Sequence, residues 1–304
     1  MEILNYDFQL NGEMSVLQFE TKGAGLFDYV SLSEAIEKNY LKIQEVNQSG
    51  SVNNLYVYNL SDKYIFMMDG DILEGAKQNR VVNSSVLVPP NSKIDLPVSC
   101  VEQGRWSFVS NKFKDSDFIA PVNMRAKKSM RMRDSLREER GHVSDQGEVW
   151  SDVRDYSMNF MVNSPTSNLS DVYKAKENDF KNLIDSFELK PKMNGTAIFI
   201  RKNLLAADVF HSPKVYSDYF RKILKGAAFE AAKLKQSDEK PDKSEAYYKT
   251  VTLFDQLEKS GFTEHEGIGS GKERRFNSND VSAFELVFKT YQIHLTAINL
   301  QKVV

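Results

Sequence analysis

The sequence is short of the features that classify a chain most quickly. It holds one cysteine, Cys100, in 304 residues, which excludes an internal disulfide framework and suits a reducing compartment. No apolar run approaches the roughly 18 to 20 residues that a bilayer-crossing helix needs. The first residues, MEILNYDFQLNGEMS, have no basic stretch followed by an apolar one, so no secretory signal is expected and the cytoplasm is the default location. Histidine is scarce: His142, His211, His265 and His294 stand far apart, and no pair of histidines or cysteines has a zinc-type spacing. No metal or cofactor is expected. Charge of one sign is also lacking, and a formal net charge of −2 argues against a surface given over to nucleic acid, although it does not address local patches. With 41% hydrophobic and 27% charged residues the chain sits in the ordinary globular range, and its length is enough for a sizeable core.

What is present changes character along the chain. Residues 1 to 110 are rich in strand-like runs, MSVLQFE, YLKIQEV, NLYVYNL and KYIFMMDG, punctuated by Gly, Asn, Ser and Asp. Only SLSEAIEKN reads there as a short helix, with Ser31 or Ser33 as its N-cap. From about 124 to 188 the apolar period moves toward 3.6, and helices are expected in MRAKKSMRMRDSLREER, SDQGEVWSDVRDYSMNFMV and NLSDVYKAKENDFKNLIDSF. A hairpin follows in GTAIFIRKNLLAADVF, turning at Lys202 and Asn203. Helices at about 213 to 234 and 244 to 259 flank LKQSDEKPDKSE, a charged loop expected to be mobile, and the chain closes with the strands FTEHEG, KERRFN, AFELVFK and YQIHLTAINL. The expectation is an α+β protein, a β-rich N-terminal layer or sandwich with a helical and mixed α/β C-terminal part. It is read as one elaborated domain over 1–304, with sub-lobes at 1–123 and 124–304.

The most informative stretch is DGDILEGAKQNRVVNSSVLVPPNSKIDLPVSCVEQGRW, from Asp69 to Trp106. It reads as one long β-hairpin turning at Pro89, Pro90, Asn91 and Ser92. Successive strand side chains face opposite ways, and in the second arm Ile94, Leu96, Val98 and Cys100 are apolar while Lys93, Asp95, Pro97 and Ser99 alternate with them. The even face is therefore the buried one. A four- or five-residue connection that keeps both even faces together pairs Val88 with Ile94, Val86 with Leu96 and Val82 with Cys100, and sets Arg80 opposite Glu102 with Gln78 next in line. Opposite charges across a ladder lie roughly 5 Å apart at Cβ, and on an apolar face they satisfy each other or cost stability.

The same segment resembles a known family. GDILEGAKQNRVVNSSVLVPP with IDLPVSCVEQGRW is similar to the signature of the domain family named for its association with ADP-ribosylglycohydrolases and rhodanese/phosphatase-superfamily proteins. SDQGEVW, VNSPTSNLSDVY, NGTAIFIRKNLLAADVFHSPKVYSDYFRKILKGAAFEA and YQIHLTAINL fit it as well, so the resemblance runs from about residue 30 to 300. It implies one elaborated α+β unit and, through the association in the name, a link to ADP-ribose or NAD-derived nucleotides and to prokaryotic conflict systems. It implies no particular reaction.

Two readings are open for Arg80 and Glu102. In one, the arginine fork binds phosphate or carboxylate while Glu102 serves as a base or accepts from a ribose hydroxyl; in the other, they are a structural ion pair capping a sheet. Glu74 and Gln78 follow a bend bracketed by Gly70 and Gly75, which fits either close approach to a ligand or a β-bulge. Cys100 reads as small core rather than nucleophile, since no histidine is near it in sequence. Asp69 and Asp71 fit a turn as well as a hard-cation site. GIGSGKERRF lacks the phosphate-loop spacing and reads as a flexible hairpin loop. Between 125 and 140, seven basic residues (Arg125, Lys127, Lys128, Arg131, Arg133, Arg137, Arg140) meet three acidic ones, yet without aromatics to stack bases an RNA partner is not favoured. Gln146 and Trp150, one helical turn apart, are candidates to cover the hairpin end. The expected site is therefore Glu74, Gln78, Arg80, Glu102, Arg105 and Trp106 with Gln146, taking a small phosphorylated nucleoside of the ADP-ribose kind: Arg80 or Arg105 on the anion, Gln78 as hydrogen-bonding group, Glu102 or Glu74 as acid or base. The alternative is a non-catalytic interaction or scaffold domain.

Overall fold

The computed structural model describes residues 1–46, 53–110, 112–232, 234 and 239–300. Along the chain come β1 (Ile3–Asn11), β2 (Met14–Thr21), β3 (Val30–Ser31), α1 (Leu32–Glu37), β4 (Leu41–Glu45), β5 (Asn54–Asn59), β6 (Ile65–Met67), β7 (Asp71–Gly75), β8 (Arg80–Val82), β9 (Val86–Val88), β10 (Ser92–Cys100) and β11 (Phe113–Ile119). There follow α2 (Val122–Arg137), α3 (Gln146–Asn159), α4 (Leu169–Ile184), β12 (Gly195–Ile200), β13 (Asn203–Phe210), α5 (Pro213–Ala231), α6 (Lys243–Ser260), β14 (Phe262–Glu266), β15 (Lys272–Phe276), β16 (Val281–Phe288) and β17 (Tyr291–Asn299). The fold is α+β and rich in strand. Residues 235–238 of the charged segment between α5 and α6 lie outside the described residues.

Five of the six helices among the described residues start where a side-chain oxygen takes up an unpaired backbone donor, and α2 starts after Pro121 without one. Ser31 caps α1, Asp145 caps α3, Asn168 caps α4, Asp242 caps α6, and Ser212 caps α5 ahead of a proline in its first turn. None of the helices among the described residues is long and apolar enough to cross a membrane.

An antiparallel sheet of eight strands, in the order β1-β2-β12-β13-β17-β16-β15-β14, forms the backbone of the molecule. Strand alternation divides its faces. On one, Leu17, Phe19, Ala197, Val209, Leu295 and Ala297 pack on Phe254 and Leu257 of α6. On the other, Val16, Ile198, Phe210 and Ile298 pack toward Tyr216, Tyr219 and Phe220 of α5 and toward the smaller sheets. Those are a six-stranded sheet, β11-β7-β8-β10-β5-β4, and a three-stranded one, β3-β6-β9. The first two strands thus belong to a sheet whose other members lie beyond residue 194.

The expected long hairpin exists only at its base. Val98 faces Val82 and Cys100 faces Arg80, two residues out of the expected register, so Arg80 and Glu102 are not a cross-strand pair. Beyond Val82 the arms part: β9 pairs with β6, and Ile94 and Leu96 pair with Val57 and Leu55 of β5. The polar run Asn83, Ser84, Ser85 marks the point of separation: Asn83 still bonds the other arm, whereas Ser84 and Ser85 take partners in the eight-stranded sheet. Asn83 accepts from Ser99 at 2.9 Å, Ser84 bonds Glu273, and Ser85 lies 3.0 Å from Nδ1 of His294. A shift of two keeps parity, so the even face is still the buried one. The Gly267–Gly271 connection joins β14 to β15 and is tied to β9, with the Ser270 N–H donating to the Leu87 carbonyl at 2.8 Å.

Candidate functional site

At the base of the hairpin Arg80 is fully buried. Its Nη1 donates to Gln78 Oε1 at 2.9 Å and lies 2.6 Å from Cys100 Sγ, and its Nη2 lies 3.5 Å from Glu45, an acidic partner 35 residues away. The guanidinium carbon sits 5.7 Å from the ring centre of Trp106, with the Lys77 ammonium at 5.2 Å. Trp106 is 45% exposed, so one part of the site reaches solvent. Burial pushes the Cys100 thiol up to about 11 against the pull of Arg80, so the cysteine stays protonated at neutral pH. β5 begins opposite Pro97, and among the described residues no strand lies beside the end of β10 on that side. Gln146 fills the place: its Oε1 accepts from the Cys100 N–H and its Nε2 donates to the Cys100 carbonyl, both at 2.8 Å.

Glu102 pairs with Arg105, not Arg80. Arg105 Nε and Nη2 meet its two oxygens at 2.8 and 2.5 Å. Thr166 Oγ1 donates to the first oxygen at 3.0 Å and the Asn79 N–H to the second at 3.2 Å, so the carboxylate is fully engaged. Arg105 also donates to the carbonyls of Ala76 and Ser107, at 2.7 and 3.0 Å. Asn79 links this pair onward through its Nδ2 to Ser170 Oγ at 3.3 Å, and Ser170 donates to Glu74 Oε1 at 2.5 Å. Glycine is required at the bend for the chain's own packing: Gly75 has φ +125°, and a Cβ there would lie 2.6 Å from the Lys112 carbonyl oxygen.

Glu74 opens onto a groove of about 560 Å³ between β11, α4 and α5. Phe118, Tyr173 and Phe180 form its apolar wall, and Lys174, Lys181 and Lys225 stand at its rim with Asp117, Glu177 and Asp185. Lys225 is paired with Asp117, whereas Lys174 and Lys181, two turns apart on α4, have no ion pair among the described residues. The expected residues are thus divided. Glu74 lines the groove, Glu102 and Arg105 brace its frame through Asn79 and Ser170, and Gln78, Arg80, Trp106 and Gln146 gather around Cys100.

Sequence reasoning missed a second polar cluster, buried between the sheets. Arg125 bridges Asp69 and Asp208, with Nη2 to Asp208 Oδ1 at 2.8 Å and Nε to Asp69 Oδ2 at 3.2 Å. Burial alone would raise the Asp208 carboxyl, but Arg125 and His294 hold it well below the usual carboxylate range. His294 lies between Ser85 and Asp208, at 3.0 and 3.4 Å. Ser85, His294 and Asp208 are each buried to within 1% of their surface, so this serine, histidine and aspartate form a closed brace that substrate does not reach. The members come from distant segments, and only the doubled acid of DGD signalled them. The basic helix α2 is engaged likewise: Arg125 and Lys128 are buried, Lys127 and Arg131 pair with Asp152, and Arg137 reaches Asn277. Among the described residues no cluster of three or more His, Cys, Asp or Glu is arranged to hold a metal ion.

One family model matches residues 6–298; its description reads ARG and Rhodanese-Phosphatase-superfamily-associated Protein domain. No curated protein and no solved structure matches the chain.

Proposed function

Since the chain belongs to the ARG and Rhodanese-Phosphatase-superfamily-associated Protein domain family, we propose that it binds a phosphorylated nucleoside of the ADP-ribose kind in the groove beside Glu74. The observation that carries the reading is the chemistry of that groove. Its volume of about 560 Å³ is in the range of small-molecule sites, its wall is aromatic, and two lysines without ion pairs among the described residues stand over it. Phe118, Tyr173 and Phe180, packed on one another, offer a base an apolar wall, ammonium groups bind phosphate, and Glu74, whose Oε1 is fixed by Ser170, is oriented to take a ribose hydroxyl. Of the two expected acid or base residues, Glu74 faces the groove and Glu102 serves its frame. A general base needs a lone pair within reach of its proton, and the four acceptor positions of Glu102 already face Arg105, Thr166 and Asn79.

A second reading, a scaffold domain, has its own observation: Arg80 is fully buried and Arg105 is bound to Glu102 and to backbone carbonyls, as structural ion pairs are. Calorimetry and thermal shift against ADP-ribose, NAD and related nucleotides separate the two. Under the first reading, ligand at about 100 times Kd raises stability by about 2.7 kcal/mol, and Lys174→Ala with Lys181→Ala weakens binding at least tenfold while the apo midpoint stays put. Absence of any shift at millimolar nucleotide leaves the scaffold reading standing.

A further inference from the structure

On the opposite side of the eight-stranded sheet lies a larger cavity, of about 640 Å³, which the groove and the hairpin do not touch. It exists because α6 is shorter than the sheet it covers. The helix stops at Ser260, where Gly261 turns the chain with φ +65°, and the sheet surface beyond its last turn stays open. Val209, Leu295 and Phe276 form the floor, Phe254 and Leu257 the α6 wall, and the loop of Lys22 to Leu26 the opposite wall.

Among the polar residues of the lining, two stand on the sheet floor and face the interior, Glu285 and His211. Val209, Leu295 and Glu285 are in register on three adjacent strands, so the three side chains share one face. His211 follows on the same face two residues beyond Val209, its N–H bound to the Ile293 carbonyl at 3.0 Å. Strand spacing and rise put the Glu285 and His211 Cα atoms roughly 12 Å apart. His211 is 7% exposed. Its Nε2 accepts the Phe27 N–H at 3.0 Å, which fixes the proton of the neutral ring on Nδ1, and Nδ1 has no protein partner among the described residues. Burial lowers the pKa of the ring and keeps it neutral. Glu285 is also buried; its Oε1 accepts from Arg274 at 3.0 Å, and Arg274 itself lies outside the lining. At the rim Lys22 pairs with Glu2 and the Met1 amine with Glu258; Glu285 is also ion-paired, but its partner Arg274 stands outside the lining, so the group that faces the interior is the carboxylate.

We propose that this cavity is a binding site for a small apolar amine, its cationic nitrogen on Glu285 and an acceptor at its far end on His211 Nδ1. The lining disfavours phosphates and carboxylates, because an anion there would face Glu285, while the cations of the lining, Lys22 and the Met1 amine, are already paired with Glu2 and Glu258. This site is therefore the electrostatic opposite of the lysine-rimmed groove, and either can fail without the other.

The test is titration of the whole chain by calorimetry and NMR with 5-methoxytryptamine, which carries an ammonium and an ether oxygen at opposite ends of an aromatic frame, against indole-3-propionate as the anionic counterpart. Saturable binding of the amine alone is expected. Glu285→Gln should weaken it about tenfold or more, the size of a charge-assisted hydrogen bond, and Leu257→Trp should abolish it by filling the cavity. Ala24→Trp, on the loop wall, fills the same space without touching the core and serves if Leu257→Trp does not fold. Lys174→Ala with Lys181→Ala should leave amine binding unchanged. Equal binding of the propionate, binding that survives Ala24→Trp, or no amine binding at millimolar concentration overturns the proposal.

Discussion

The Gln146 side chain pairs with the backbone of Cys100 as a neighbouring strand would, giving and accepting one bond at 2.8 Å each. It closes the sheet edge that β5 leaves open. Removing it with Gln146→Ala exposes a buried N–H and carbonyl together, so a loss of about 1–3 kcal/mol is expected. Urea unfolding measures it, and a change under about 0.5 kcal/mol would mean that water replaces the amide without cost.

Glu102 and Arg105 should behave as a unit. Arg105→Lys removes the fork that meets both carboxylate oxygens and the Ala76 and Ser107 carbonyls, so it is not a conservative change. Breaking a buried pair costs about 3–5 kcal/mol; Arg105 keeps some solvent contact, and the lower part of that range is expected. A double-mutant cycle with Glu102→Gln should return a coupling energy above about 1 kcal/mol. Additive effects would show that the two residues act separately.

Gly75→Ala is predicted to cost more than an ordinary surface change. Strain at φ +125° alone contributes about 1–3 kcal/mol, and the new methyl would meet the Lys112 carbonyl at 2.6 Å. Because Gly75 is adjacent to Glu74, nucleotide affinity should fall with stability. A thermal midpoint within 2 °C of wild type would contradict the tight approach.

Lys128 supplies a pH signature. Burial pulls its ammonium down to about 7, with Arg125 and Arg275 adding to the effect and Asp69 opposing it. An unfolded lysine titrates near 10.5, so between about 7 and 10.5 the unfolded chain binds the extra proton and stability rises with pH, by at most about 1.4 kcal/mol per pH unit. Lys128→Met lacks this rise. Parallel stability curves for the two proteins from pH 7 to 9.5 would show that Lys128 stays charged in the fold.

Much of the element pattern was legible in sequence, because local periodicity carries it. Helices near the bounds of α2 to α6 follow from spacing and punctuation alone; of the two serines that spacing allows as N-cap, Ser31 takes the role, and the β12–β13 hairpin turns at Arg201 and Lys202, one residue earlier than expected, because Asn203 already pairs with Ile200. Parity also survives long-range surprises, which is why Cys100 faces inward although its partner is Arg80 rather than Val82. The partners of charges were not legible. Arg80 meets Glu45, Arg125 meets Asp208, and neither pairing has any local signal, since the first is made by two strands and the second by α2 and β13, brought together from distant segments. For the same reason the groove at Glu74 was invisible: α4 supplies most of its rim, and nothing in the hairpin announces α4.

The position of the first two strands has a consequence for how the chain reaches this state. The Thr21 N–H donates to Asn194 Oδ1, a partner 173 residues later. At roughly 5–20 residues per second of synthesis, the β1–β2 hairpin waits about 10–35 s for the strand that completes its sheet. During that interval Leu17 and Phe19, fully buried in the finished molecule, lack the Ala197, Val209 and Phe254 side chains that share their cluster. The β1–β2 pair is therefore among the last to settle although it precedes its sheet partners in the chain, and the edge of β2 that β12 will cover stays open until residue 195 has been made.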